Sequence, residues 1–300
     1  MSDYCAFLSN CLAIGEHNSQ RPDGSSIRDK IEWKLNNYEV ILLQNEDMIT
    51  QPLDQLRNRW IASSRVIIKN VTPPKVGVAE NIARDLASML HFAGMSQVHV
   101  FGNEYPMGSG NRITYSTTGI AKFFRPTFDV RNGTNLKSFV DQCWRSYIQL
   151  KQKRKLNIVF EMLTASEATL LPLEFRLASV FIALENLKDT YARSNNIPYV
   201  KGYFRKISSP PKHNLSKERK YTFEELLTLM LREVKIRKGL KRIIGLRNDI
   251  IHSGLSRRPY NSKWKTFENC HGIIRRYILK ILNYKGECCS YEKPNSLLLI

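Results

Sequence analysis

Short runs of β-branched and aromatic residues, each about the length of a strand, recur along the chain before Asn132. They predict strands at Tyr38–Leu43, Arg65–Lys69, Gln97–Phe101 and Ile113–Ser116. Between the second and third runs, apolar residues from Val78 to Ala93 recur at helical spacing, and Gly94 is placed to end that helix. This part of the chain is therefore predicted to be an α+β region.

After Asn132 the apolar residues follow a helical period instead. Amphipathic stripes predict helices at Leu136–Tyr147, Leu173–Leu187, Phe223–Lys235, Ile236–His252 and Trp264–Asn283. Helices in this number pack as a bundle. Segment 206–220 is rich in basic residues and lacks apolar periodicity, so it is predicted to be a loop. We expect an N-terminal α+β domain at 1–132, serving as a sensor or docking module, and an all-α domain at 133–300.

The positive charge of the chain is concentrated near its C-terminus. The 300 residues carry a formal net charge of +19. Residues 201–300 hold 23 Lys and Arg but only 8 Asp and Glu, which leaves +15 in that third of the chain. A local positive field of this kind favours a polyanionic partner, most often nucleic acid, over a basic surface that only confers solubility.

The cysteines predict reduced thiols, because none of the six has the CxxC or His/Cys spacing of a zinc site and Cys288 and Cys289 are neighbours. The chain opens with no basic and apolar leader, and no apolar stretch reaches the length of a membrane span. We therefore expect a cytoplasmic protein that contacts no membrane and uses no metal or cofactor.

The segment 240–254, LKRIIGLRNDIIHSG, carries the candidate chemistry. On a helical projection Arg247 lies in the middle of the apolar face, where a charged residue is unusual unless a partner holds it. His252 lies about 140° further round the helix, on the side that Asn248 shares. Ser253 and Gly254 are placed to end the helix, so the macrodipole favours a protonated His252 imidazole.

This set of side chains suits RNA cleavage without a metal. A neutral imidazole takes the proton from a 2′-hydroxyl, the oxygen attacks the adjacent phosphodiester, and the arginine neutralises the charge on the phosphoryl oxygens. Asn248 is placed to orient the imidazole or to bind the phosphate. The alternative is one surface salt bridge and one histidine at the edge of the core.

The string RNDIIH, Arg247 to His252, resembles the Arg-x(4–6)-His signature of the HEPN superfamily. Upstream, Glu174–Ser194 resembles the long helix with an ALE-x-L string in HEPN proteins of the ApeA-like abortive-infection group. Asp85–Pro106 is similar to an N-terminal segment of the same proteins, so the likeness spans residues 80 to 285.

The resemblance implies a helical bundle that forms a homodimer and cleaves RNA, tRNA among the candidates, in abortive antiphage defence set off by a phage-derived trigger. Arg247 and His252 would be the catalytic pair and Asn248 their polar partner. Glu185 matches an acidic position that would hold Arg247, with Glu174 as the second candidate. Related toxins often carry tyrosine two residues after the histidine, but this chain has Gly254, which argues against silencing by modification of a tyrosine there.

The basic residues around the motif are candidates for binding RNA phosphates; they are Lys241, Arg242, Arg257 and Arg258. Aromatic residues of the basic third are candidates for base stacking; they are Tyr203, Phe204, Tyr260 and Trp264. Met107–Asn111 lacks the Lys-Ser/Thr of a phosphate loop, so a hairpin turn is predicted there. Two other functions stay open: a non-catalytic HEPN module for RNA binding or assembly, and a DNA-binding regulator.

Overall fold

A computed structural model describes residues 1–20, 24–117, 119–208, 214–236 and 240–300, without the side chains of residues 17–19. The chain forms two compact units. The first unit consists of Met1–Arg145 and Leu282–Ile300, and the second unit of Ser146–Ile281. The α+β class predicted from the sequence is confirmed.

An antiparallel sheet of seven strands forms the first unit, in the order β2-β3-β4-β5-β1-β6-β7. The strands are β1 (Ser2–Ser9), β2 (His17–Gln20), β3 (Ser26–Leu35), β4 (Tyr38–Gln44), β5 (Ala62–Val71), β6 (His99–Glu104) and β7 (Arg112–Thr114). Each of the four predicted strands overlaps one of them, β4 to β7. The first three strands were not predicted. β1 lies between β5 and β6, and its last six residues are buried, so it lacks the alternating pattern of a half-exposed strand.

Between β4 and β5 lie two short helices, α1 (Glu46–Thr50) and α2 (Leu53–Leu56). The long helix α3 (Val76–Gly94) packs against β1, β5 and β6 with its predicted apolar stripe buried. Gly94 is its last residue, and Met95 takes the left-handed conformation that ends it, at φ 46°. The predicted turn at Met107–Asn111 is confirmed as the link between β6 and β7. There the backbone N–H of Gly110 donates to the Glu104 carboxylate at 2.7 Å and lowers the pKa of that group.

The helix α4 (Gly133–Leu150) begins at the predicted domain boundary, but the compact units divide later, after Arg145. In the second unit follow α5 (Leu156–Ala165), α6 (Leu173–Ser194), α7 (Phe223–Glu233), α8 (Leu240–Ser253) and α9 (Tyr260–Ile281). Four of the five predicted helices match α4, α6, α7 and α9. For the predicted helix Ile236–His252, Ile236 is not helical, 237–239 lie outside the described residues, and the helix is described from Leu240.

The second unit is not purely helical, contrary to the prediction. A sheet in the order β10-β9-β8 is built from β8 (Tyr199–Val200), β9 (Tyr203–Lys206) and β10 (Arg219–Lys220). The predicted loop 206–220 therefore has strand residues at both ends, because Arg219 pairs with Lys206. Its residues 209–213 lie outside the described part of the chain. These strands are too short for an alternating pattern of apolar and polar residues to be recognised in the sequence. Their position is set by the burial of Phe204 beside Ala192 and Leu226.

The last residues return to the first unit, contrary to the predicted boundaries, which placed all of 133–300 in one domain. Strands β11 (Glu287–Cys289) and β12 (Leu297–Leu299) form a hairpin. The backbone N–H of Cys289 donates to the Thr127 carbonyl at 2.8 Å, and the Arg125 guanidinium donates to the Tyr291 carbonyl at 2.7 Å. These long-range hydrogen bonds hold the C-terminal residues in the first unit. No local pattern in the sequence predicts them.

Five of the six cysteines are buried, and Cys289 is half-buried. Burial raises the pKa of the Cys5 thiol to about 11 and those of Cys11 and Cys143 to about 12. These thiols are therefore protonated and unreactive at neutral pH. Among the helices in the described ranges, none combines the length and the apolar character needed to cross a membrane.

Candidate active site

Arg247 lies on α8 and turns toward α6, where a carboxylate holds it. Its Nη2 contacts Glu185 Oε1 at 2.5 Å, and its Nη1 donates to Asn248 Oδ1 at 3.0 Å. Only 16% of the Arg247 side chain is exposed. The charged residue in the apolar register of α8 therefore has the partner that such a position requires, and Glu185 is that partner.

Two residues that the sequence did not single out complete the surroundings of this arginine. Lys188 Nζ contacts Glu185 Oε2 at 2.9 Å, so that carboxylate lies between two cations. The Phe223 ring faces both, with the Arg247 Cζ at 4.8 Å and the Lys188 Nζ at 5.4 Å from its centroid. Lys188 was detectable as the i+3 neighbour of Glu185. Phe223 was not, because only tertiary packing brings the first residue of α7 to this place.

The first turn of α7 fixes the position of Phe223. Thr222 Oγ1 accepts from the Glu225 N–H at 3.1 Å, and the Glu225 carboxylate accepts from the Thr222 N–H at 2.9 Å. This reciprocal pair is a capping box, which sets where the helix begins. Phe223, the next residue after Thr222, is thereby held at the N-terminus of α7 beside Arg247.

His252 occupies the last turn of α8 and is exposed. The helix ends at Ser253, and Gly254 follows with φ 71° and its N–H bonded to the Ile250 carbonyl at 2.9 Å, so the predicted stop is confirmed. Five residues separate His252 from Arg247, a rise of about 7.5 Å along the axis and about 140° around it. His252 forms no hydrogen bond or ion pair with any residue in the described ranges. The fold thus joins Arg247, Asn248 and Glu185 and leaves the imidazole open to solvent.

The other predicted residues divide into exposed and engaged groups. Lys241, Arg242 and Arg257 are exposed, whereas Arg258 donates from Nε to Asp249 Oδ2 at 3.0 Å. Glu174 does not hold Arg247: it pairs with Lys263, whose hydrogen bond lowers the pKa of the Glu174 carboxyl. Among the aromatic candidates, Tyr203 and Tyr260 are exposed, while Phe204 belongs to the core and Trp264 is half-buried against Phe267. Stacking on Phe204 is therefore excluded by its burial.

This arrangement provides a guanidinium held at its Nη1 and Nη2 atoms, together with an imidazole exposed on the same helix. Two of the five guanidinium N–H groups bond to Glu185 and Asn248, which leaves further donors for an anion. A fixed cation and a titratable imidazole are the groups that acid-base chemistry on a phosphodiester uses. Comparison with protein-family models, with curated proteins and with solved structures found no match for the chain.

Proposed function

We propose that this protein is a metal-independent endoribonuclease of the HEPN type. The observation that carries the proposal is the held arginine: Arg247 lies in the apolar register of α8, bonded to Glu185 and Asn248, five residues before an exposed His252. The basic charge of the surrounding third of the chain fits an RNA substrate.

In the proposed reaction the neutral His252 imidazole removes the proton from an RNA 2′-hydroxyl. The 2′-oxygen attacks the adjacent phosphorus, the bond to the 5′-oxygen breaks, and the imidazolium returns the proton to that leaving oxygen. Arg247 stabilises the negative charge that builds on the phosphoryl oxygens. The products are a cyclic phosphate end and a 5′-hydroxyl end. Asn248 and Glu185 keep the guanidinium in place.

The proposed setting is abortive antiphage defence in the cytoplasm, with tRNA among the substrates. In this proposal the N-terminal domain, residues 1–132, receives a phage-derived trigger. The test is incubation of the purified chain with total tRNA and a mixed RNA pool in EDTA, with product ends identified by phosphatase treatment. Cleavage to cyclic or 3′-phosphate ends in EDTA supports the proposal. Binding of RNA without cleavage, also with phage lysate added, favours a binding module, and equal affinity for duplex DNA favours a regulator.

The exposed cations next to α8 give the first quantitative prediction. The triple variant Lys241→Ala, Arg242→Ala, Arg257→Ala should lower the slope of log K against log salt by about two for single-stranded RNA, since each lost phosphate contact removes about 0.7. The measurement is fluorescence anisotropy with a 2′-O-methyl oligoribonucleotide, which lacks the attacking hydroxyl and is not cleaved, across a KCl series.

A matched control removes three exposed cations of the first unit, Lys34→Ala, Lys75→Ala and Arg131→Ala. It should leave the slope close to that of the wild type. If both triple variants change the slope equally, RNA is attracted by total charge alone, and the assignment of Lys241, Arg242 and Arg257 as phosphate-binding residues is wrong.

The proposed homodimer has a candidate surface on the second unit. Phe175 and Ile182 are seven residues apart on α6, so they share one face, and 65% and 46% of them are exposed. Ile251 on α8, a helix that packs against α6, and Leu255 after it are exposed as well. Exposed apolar side chains that share one face of a helix are typical of a protein interface.

The double variant Phe175→Glu, Ile182→Glu should therefore convert a dimer into a monomer, because it buries charge in the interface. Light scattering after gel filtration gives the mass directly. The control Val78→Glu, Ile113→Glu places the same charges at exposed apolar positions of the first unit and should stay dimeric. A wild-type chain that is monomeric at micromolar concentration would contradict the dimer.

A further inference from the structure

The loop that follows His252 folds back on α8 and is fastened there by a carboxylate. Asp249 Oδ2 accepts from Arg258 Nε at 3.0 Å and from the Ser256 hydroxyl at 3.1 Å. The Ser253 hydroxyl, which has one proton to donate, lies 2.5 Å from the Asp249 carbonyl and 2.9 Å from the Leu255 carbonyl. The side chains of Asp249, Ser256 and Arg258 therefore fasten the loop after Ser253 to α8.

The Arg258 side chain ends directly over the backbone of α8 at Gly245. A Cβ added to Gly245 would lie 2.7 Å from Arg258 Nη2 and 3.6 Å from its Cζ. Glycine is otherwise unfavourable inside a helix. Its place in the second turn of α8 is therefore explained by the close approach of this guanidinium.

Helical spacing puts these groups on the side of α8 that carries the imidazole. Gly245, Asp249 and His252 are separated by four and three residues, so they line one face. Arg247 turns toward Glu185 on α6 instead. Two guanidinium groups are therefore held at α8: its own Arg247 toward α6, and Arg258 of the loop on the face that carries His252.

We infer that Asp249 and Gly245 are positioning residues, which fix the Arg258 guanidinium on the His252 face of α8, about two helical turns before His252, so that it binds an RNA phosphate on the same face as the imidazole. The inference rests on the proposed function for its ligand and adds a second cation to the same site. Arg258 Nε bonds to Asp249, and the guanidinium Nη atoms supply the donors that a phosphate takes. Asp249 acts only through Arg258 and does not touch the RNA.

Two explanations of Asp249 predict opposite changes in RNA affinity for the variant Asp249→Asn. One is that Asp249 only repels RNA by its charge, and the other is that it positions Arg258. Asp249→Asn removes a negative charge next to the site, so charge alone predicts tighter RNA binding. If Asp249 positions Arg258, the same variant releases the guanidinium and weakens binding. A residue that only fastens the loop would change the melting temperature and leave the affinity of the folded protein unchanged.

Gly245→Ala is the sharper variant because its structural and functional effects have opposite signs. Alanine favours the helix, and the atom it displaces is the far end of a flexible side chain, so the protein should fold with an equal or higher melting temperature. Gly77→Ala on α3 is the matched control, since nothing lies within 4 Å of the added Cβ. The displaced guanidinium should cost about tenfold in affinity for a 2′-O-methyl oligoribonucleotide.

The full-length variants are compared by anisotropy in EDTA across a salt series. Arg258→Gln should weaken binding about tenfold and lower the salt slope by about 0.7, while Arg258→Lys keeps most of the slope. Tighter binding by Asp249→Asn, or wild-type affinity in Gly245→Ala, overturns the inference. Because the probe is not cleavable, weakened binding by these variants supports the inference even if the wild type cleaves no RNA. Cleavage that needs Arg247 and His252 but not Gly245, Asp249 or Arg258 overturns this inference alone.

Discussion

Replacing Arg247 by alanine should lower the rate of RNA cleavage about a thousandfold, the loss typical when a fixed donor to a developing oxyanion is removed. His252→Ala should lower it by about 10²- to 10⁴-fold, because the proton of the 2′-hydroxyl then has no positioned acceptor. Both variants should still bind the 2′-O-methyl oligoribonucleotide, since the exposed cations around α8 are unchanged. The measurement is the initial rate of cleavage of labelled tRNA in EDTA.

The controls separate loss of chemistry from loss of fold. Arg84→Ala removes an arginine of α3 that pairs with Glu80 at 2.6 Å, and it should cleave at the wild-type rate. Arg247→Lys keeps the charge but lacks the planar donors that reach Glu185 and Asn248 together, so it should not restore the rate. Circular dichroism and melting temperature show whether each variant is folded.

A smaller loss is expected for Glu185→Gln. The amide still accepts a hydrogen bond from Arg247, but the ion pairs with Arg247 and Lys188 are gone, so the guanidinium is held less firmly.

Cleavage that persists in both Arg247→Ala and His252→Ala would contradict the assigned site. A rate that falls in proportion to the folded fraction would assign these residues to stability alone.

Arg154→Ala should destabilise the second unit by about 3 kcal/mol, because several buried polar groups lose a charged donor at once. Arg154 is 5% exposed. Its Nη2 donates to the Tyr277 hydroxyl at 2.7 Å and to the Leu187 carbonyl at 2.9 Å, and its Nε donates to Thr190 Oγ1 at 3.2 Å. One guanidinium therefore ties the segment between α4 and α5 to both α6 and α9.

Tyr277, which accepts a hydrogen bond from Arg154, stays un-ionised in the core. Burial raises the pKa of Tyr277 to about 12, so its hydroxyl stays protonated and neutral over the physiological range. The ring also faces the guanidinium, with the Arg154 Cζ at 5.4 Å from its centroid. Removing the arginine leaves the buried Tyr277 hydroxyl without its donor, which is the costly case for hydrogen bonds, whereas the Leu187 carbonyl keeps its bond from Thr190 Oγ1 at 3.1 Å.

Urea unfolding followed by circular dichroism measures the effect. Arg154→Met separates the two contributions: it refills most of the volume but restores no donor, so most of the destabilisation should remain. Arg145→Ala, an exposed arginine on α4, should change the free energy of unfolding by less than about 0.5 kcal/mol. Wild-type stability in Arg154→Ala would show that water or a rearranged side chain replaces the guanidinium.

Local patterns in the sequence predicted the helices and strands that bury one of their faces and expose the other. The stripes of α3, α4 and α6 and the runs of β4 and β5 follow the periods of helix and strand, so they could be read without knowledge of their partners. β1 could not, because a strand buried along most of its length shows no alternation. The small sheet of the second unit could not either, since it exists through pairing and through the burial of Phe204.

The sequence by itself determined the composition of the candidate site: Arg247 in an apolar register, His252 at the helix end that Gly254 sets, and a basic surrounding third. Because helical spacing is a local property, the single segment 240–254 was enough to place these residues relative to one another. Only the tertiary structure decided which carboxylate each cation takes. Glu185 holds Arg247, Glu174 takes Lys263 and Asp249 takes Arg258, because partner choice depends on which helices meet across the bundle and where a loop returns.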